Sequence, residues 1–125
     1  MATPTESLEE RTERFALDVI KLIRTFPSDE PGPTVKRQLA KSATSQAANY
    51  RASRRSRSHA EFTARIAVVA EEEYESCYWL RLALKSQLSH SPELPRLVKE
   101  SDELTAIFSK MVGTARRNER LVKKR

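Results

Sequence analysis

The sequence predicts an all-α protein, an antiparallel up-and-down four-helix bundle, and three observations support it. The six prolines stand in three places: Pro4; Pro27, Pro31 and Pro33; and Pro92 and Pro95. The only two glycines are Gly32 and Gly113. Proline breaks helix interiors and glycine weakens them, so the long blocks between are free to be helical. Within each block apolar residues recur by threes and fours, the spacing of one helix face turned to a core. Nowhere is the period-two alternation of a strand sustained, and β-branched residues do not cluster. A chain of 125 residues and 14.3 kDa makes one domain, able to bury roughly two thirds of its unfolded surface.

Residues 1–6 read as a flexible start, 7–115 as the bundle and 116–125 as a basic tail. The first helix is expected at about 8–26, where Leu8, Phe15, Val19, Leu22 and Phe26 share a face beside Ile20 and Ile23. Ser7 with Glu10 three residues on is a capping-box signature, and Pro27 stops the run. The proline-rich connection ends at Thr34, a good N-cap residue, which puts the second helix at about 35–53. A single helix over 35–91 would span about 85 Å, too long for so small a domain, so the chain folds back. The fold-back falls in the Ser/Arg-rich stretch 53–58, because Ser58 and Glu61 repeat the capping spacing just before Phe62. The third helix is expected at about 59–88 with Phe62, Ile66, Val69, Cys77, Leu80 and Leu84 inward and Glu73 interrupting the seam. Ser91 before Pro92 opens the fourth, about 92–115, which turns Leu94, Leu97, Leu104, Phe108 and Met111 inward.

Around Cys77-Tyr78-Trp79-Leu80, with Leu82, Ala83 and Leu84, the third helix is apolar nearly all round. Successive residues turn by about 100°, so they cannot all face one core. Tyr78, Trp79 and Leu82 are therefore expected at an interface between copies, and the bundle to assemble as a ring-like homo-oligomer.

Charge is unevenly placed. The chain carries +6 overall, yet residues 35–67 hold eight cations against the single acid Glu61, and 110–125 hold seven against Glu119. Arg37, Lys41, Arg51 and Arg55 share one helical face, with Arg54 and Arg57 beside it and Arg116, Arg117 and Arg120 auxiliary. Such a stripe suits phosphate oxygens of RNA or DNA through sequence-blind, salt-sensitive contacts, and a ring would repeat it. The alternative is a protein-interaction scaffold, the basic face docking an acidic partner.

Beside the small apolar stripe of the second helix lies a polar face with Ser42, Ser45, Gln46 and Asn49. Ser42, Ser45 and Asn49 are expected to form a buried polar network with a carboxylate of the third helix, Glu73 or Glu75. Enzymatic function is not expected. Two glycines exclude the clustered-glycine phosphate loops, His59 and His90 lack the co-ligands of a metal site, and no nucleophile stands with a base. No cofactor is expected. Cys77 is a single thiol, the start of the chain has early acids and no apolar run, and Ile66–Ala70 is far too short to span a bilayer. A cytoplasmic protein with no membrane contact is the expectation.

The string Ser42-Ala43-Thr44-Ser45-Gln46-Ala47-Ala48-Asn49-Tyr50-Arg51, followed by Glu75-Ser76-Cys77-Tyr78-Trp79-Leu80-Arg81, resembles the bacterial four-helix-bundle family that includes proteins encoded in intervening sequences of large-subunit ribosomal RNA genes. The likeness spans about residues 8–115 and rests chiefly on Thr44-Ser45, Asn49-Tyr50 and the run from Glu75 to Leu80. It implies an antiparallel bundle assembling as a ring, typically a pentamer. It also implies kinship with the accessory protein of diversity-generating retroelements, whose basic ring binds nucleic acid and a reverse transcriptase. The chain departs from the family at Gln46, where an aliphatic residue is usual, at Ala47, often glycine, and at Ala52, commonly acidic.

Overall fold

Ser7 opens the first helix, α1 (Leu8–Ile23), with a complete capping box: its Oγ accepts the Glu10 N–H at 3.0 Å, and its own N–H donates to the Glu10 carboxylate at 3.3 Å. Each satisfies an amide that has no partner within the helix. The helix stops at Ile23 rather than 26. Thr25 and Phe26 turn away through single-turn bonds to the Leu22 and Ile23 carbonyls, and Phe26 is tucked into the core. The computed structural model describes residues 5–123. Most of the expected flexible start, residues 1–4, lies outside that range, while Glu6 within it is paired with Arg14 at 2.7 Å.

The second helix, α2 (Gly32–Ser53), begins three residues before the expected 35. Prolines in a first turn lack only amides that would go unpaired anyway, so Pro33 is accommodated. Thr34 is not the N-cap; Pro31 holds that position without a side-chain bond, and the Glu30 carboxylate before it takes both the N–H and the hydroxyl of Thr34, at 3.1 and 2.9 Å. Gly32 is required here, because a Cβ would stand 2.0 Å from the Pro27 carbonyl oxygen.

The third helix, α3 (His59–Lys85), is capped by Ser58, whose Oγ accepts from Glu61 N–H at 3.0 Å. It ends three residues short of the expected 88. Gln87 takes φ 55°, and the Leu88 and Gln87 amides close onto the Ala83 and Leu84 carbonyls at 2.9 and 3.2 Å. That pair of bonds is a Schellman stop, here with glutamine where glycine is favoured. Ser91 Oγ accepts from the Glu93 amide at 3.2 Å, starting the fourth helix, α4 (Glu93–Lys123). The expected basic tail is therefore helical through Lys123. Nothing after Gly113 breaks a helix, and Arg116, Arg117, Arg120 and Lys123 are good helix formers, Lys123 pairing back to Glu119 at 3.6 Å. Lys124 and Arg125 lie outside the described residues.

Cross-helix bonds establish the antiparallel order. His59 and Ala115 meet at 2.9 Å, and Cys77 and Arg81 both reach Asp102, at 3.0 and 2.5 Å, so α3 rises as α4 descends. These donors, the Cys77 thiol foremost, hold the Asp102 carboxyl below its usual range. α3 packs against α2 and α4, and α1 against α2 and more loosely α4; α1 and α3 are diagonal. Phe15, Val19, Leu39, Leu80, Leu97, Leu104 and Phe108 are sealed from solvent. Each such side chain stabilises by about 1.5–3 kcal/mol, and the Tyr50 ring leans on Phe108 at 5.5 Å.

The seam of α3 differs from the expected one. Ile66, Val69 and Leu80 face inward, but Cys77 is half-buried and Leu84 is exposed, their places taken by Ser76 and Ala83. Ile66, Val69 and Leu80 set the heptad phase, and positions 77 and 84 sit one residue, about 100°, off it. Keeping that phase brings Glu73 into the core.

Candidate nucleic-acid interface

Arg37, Lys41 and Arg51 lie along one exposed face of α2, while Arg55, expected on the same helical face, falls with Arg54 and Arg57 in the exposed turn past the helix end at Ser53. The cluster suits its place: Arg51, in the last turn, meets the negative end of the α2 dipole. Arg37 donates to the Thr34 hydroxyl at 3.5 Å. Among the described residues none of these six cations forms an ion pair, whereas nearby Arg65 is held by Glu61 at 2.9 Å. Two surface grooves meet at Arg55. One, of about 410 Å³, is lined by Glu9, Arg51, Arg54 and Arg55, and the other, of about 400 Å³, by Ala52, Arg55, Arg57, Glu61 and Arg65. The result is a track of guanidinium groups at the end of the bundle where α2 passes into α3.

Arg116, Arg117 and Arg120 sit at that same end but on α4, which lies diagonal to α2 across the bundle. Arg116 borders a groove with Ala67, Ala70, Glu71, Ser109 and Val112, and Arg117 donates to the Thr114 hydroxyl at 3.3 Å. The two basic segments therefore do not fuse into one stripe.

The expected interface residues divide. Tyr78 is 57% exposed and Leu82 37%, but Trp79 is half-buried, packed on the edge of its own core with its indole N–H donating to Glu75 at 3.3 Å. Its ring meets that of Tyr78 edge-on at 5.0 Å. Tyr74, unremarked in the sequence, is 66% exposed and completes a ridge with Tyr78 and Leu82. Its spacing of four from Tyr78 was the signal available.

The polar network is also redistributed. Ser42 and Ser76 hydroxyls meet at 2.8 Å in the core. Ser45 and Asn49, by contrast, are half-buried and bond locally, Asn49 donating to the Ser45 carbonyl and hydroxyl. Glu75 is exposed, on the far side of α3 from the core. Gln46, on the same polar face but outside the expected network, is buried as well, its Nε2 donating to the Thr12 and Ala43 carbonyls at 3.0 Å each. Glu73 is sealed, and among the described residues neither of its carboxyl oxygens has a hydrogen-bond partner, nor has Gln46 Oε1. Burial pushes the Glu73 carboxyl well above its ordinary range, with the Glu100 charge adding to it and Arg11 opposing.

With this geometry in view, one comparison is decisive. A family model described as "23S rRNA-intervening sequence protein" matches residues 8–110. The chain belongs to that family. A crystal structure of a protein of unknown function from the S23 ribosomal protein family of Bacteroides thetaiotaomicron shares the fold, with a TM-score of 0.76 at 20% identity over 85% of this chain and 98% of that one. No individually curated protein matches. The 23S rRNA-intervening sequence family is thus represented here by a four-helix bundle in which no described helix is long and apolar enough to cross a membrane. No group of three or more His, Cys, Asp or Glu side chains among the described residues is placed to hold a metal.

Proposed function

We propose that this member of the intervening-sequence family is a non-enzymatic, cytoplasmic, self-assembling bundle that holds nucleic-acid phosphates on its α2 face. One observation carries the reading: Arg37, Lys41, Arg51, Arg54, Arg55 and Arg57 are exposed together, and among the described residues no carboxylate is paired to any of their side chains. Unpaired guanidinium groups meet phosphate without first breaking an internal bond, and their fork geometry fits two phosphate oxygens at once. The family's description, tied to 23S rRNA intervening sequences, makes RNA the first ligand to try. Assembly rests on the exposed Tyr74, Tyr78 and Leu82 ridge, and the sequence resemblance implies a ring, typically a pentamer.

Titration of a fluorescent single-stranded RNA and a DNA of equal length tests the reading. Wild type binds both, and Arg51→Glu/Arg54→Glu/Arg55→Glu lowers affinity at least tenfold while the melting curve is unchanged. Equal affinity of wild type and triple variant would overturn it.

A further inference from the structure

The core-facing seam of α4 does not end where the bundle ends. Phe108, Ala115 and Val122 stand seven apart and share one heptad phase; the first two are buried, but Val122 is 61% exposed and Leu121 beside it 62%. The His59–Ala115 bond, at 2.9 Å, marks the level at which α3 begins. Residues 116–123 project past it by about 12 Å. This apolar seam, largely uncovered among the described residues, is flanked there by Arg117, Arg120 and Lys123.

A surface of opposite character lies on the outer face of α3. Tyr74 and Tyr78 are 66% and 57% exposed, and Glu71 and Glu75 are exposed beside them. The acids repel phosphate, so this aromatic ridge is unsuited to nucleic acid. A second projecting tip is unsuited to the first, because both are cationic. The tip cannot reach the ridge of its own chain, since Tyr74 lies about 22 Å up α3 from His59.

We infer that the projecting end of α4 docks on the α3 face of a second copy, Leu121 and Val122 against Tyr74 and Tyr78, with Arg117 and Arg120 facing Glu71 and Glu75. This rests on the self-assembly half of the proposed function and names its two surfaces. The contact joins unlike patches, so repetition produces a closed ring or an open filament rather than a two-fold dimer. It also removes Arg117 and Arg120 from the phosphate-binding set and leaves the α2 face free.

Sedimentation velocity on the full chain tests it. Leu121→Glu/Val122→Glu (tip) and Tyr74→Glu/Tyr78→Glu (face) each fall to single subunits with unchanged helix content, because all four positions are exposed. Mixed in equal amounts they form particles of two subunits and no larger, the intact face of one chain taking the intact tip of the other. Arg117→Glu/Arg120→Glu and Glu71→Lys/Glu75→Lys each weaken assembly at least tenfold, and combined in one chain they restore it. Wild-type assembly that survives the tip variant, or a mixture that stays as single subunits, overturns this interface alone. A wild type that is itself a single subunit overturns the assembly half of the proposed function as well, while RNA titration still judges the α2 face separately.

Discussion

Arginines occur in two settings in this molecule. Along the seam between α1 and α4, Arg11 reaches Glu100 at 2.6 Å and Glu103 at 2.8 Å, Arg14 reaches Glu6 and Glu100 at 2.7 and 3.4 Å, and Arg96 joins Asp18 at 2.9 Å and also Glu93. On the α2 face and the turn that follows it, six cations stand with no acid paired to them among the described residues. The seam is where two helices pack loosely, and long guanidinium side chains bridge what apolar contact does not. Residue type alone does not separate the two roles. What separates them is whether a carboxylate stands opposite, and in the core Glu73 is the inverse case, an acid without a cation at bonding distance.

Breaking the seam has the largest expected effect on stability. Glu100 is only 11% exposed and Arg11 19%, so Glu100→Leu removes the acid that two guanidinium groups share, leaving Arg11 to Glu103 and Arg14 to Glu6, and costs about 2–3 kcal/mol, read from denaturant midpoints. The Arg11 hydrogen bond holds the Glu100 carboxyl below its ordinary range. Its contribution is therefore present above the unfolded glutamate value and fades as pH falls through the folded one. Glu73 has the opposite sign. With its carboxyl raised by burial, its contribution is complete below the unfolded value and is lost as pH rises through the folded one. Glu73→Met is thus expected to stabilise by about 1–2 kcal/mol at neutral pH and to flatten the alkaline side of the stability profile. A site remote from both regions sets the scale: Gln87→Gly relieves the positive φ at the α3 stop and adds about 0.5–1 kcal/mol to the melting free energy. Smallest is Arg51→Glu/Arg54→Glu/Arg55→Glu, within about 0.5 kcal/mol of wild type in stability because no native pair is lost. Such a result, beside the cost at Glu100, sharpens the distinction between arginines that bridge and arginines that are free.

Much of the architecture was legible because its signals are local. The Ser7 box and the Ser58 cap act within a turn, and each places the start of its helix, while the prolines separate the helices without fixing their ends. The α2 start was misread because Thr34 is a good cap in isolation, while the carboxylate that does the work, Glu30, lies across the proline turn. The helical tail was missed because charge was given more weight than the absence of any breaker after Gly113. The site was less legible. That Arg37, Lys41, Arg51 and Arg55 share a face follows from periodicity, but that Arg11 and Arg14 are spent on α4 acids some ninety residues away depends on tertiary packing. The same limit explains Gln46, whereas Glu73 stands in the expected seam and only its lack of a partner among the described residues depends on packing. Heptad phase decides which polar residues enter a core, and on α3 that phase turned on a single-residue choice between Ser76 and Cys77.

The central claim, that the unpaired α2 cations bind phosphate and the paired seam cations do not, is tested most directly by the salt dependence of single-stranded RNA affinity. For about four phosphate contacts, raising salt from roughly 50 to 200 mM is expected to weaken wild-type binding about 50-fold. Arg51→Ala/Arg54→Ala/Arg55→Ala should flatten that slope by about two contacts or more, and Arg14→Ala should leave it unaltered. A slope that drops equally for both variants, or for neither, would contradict the account.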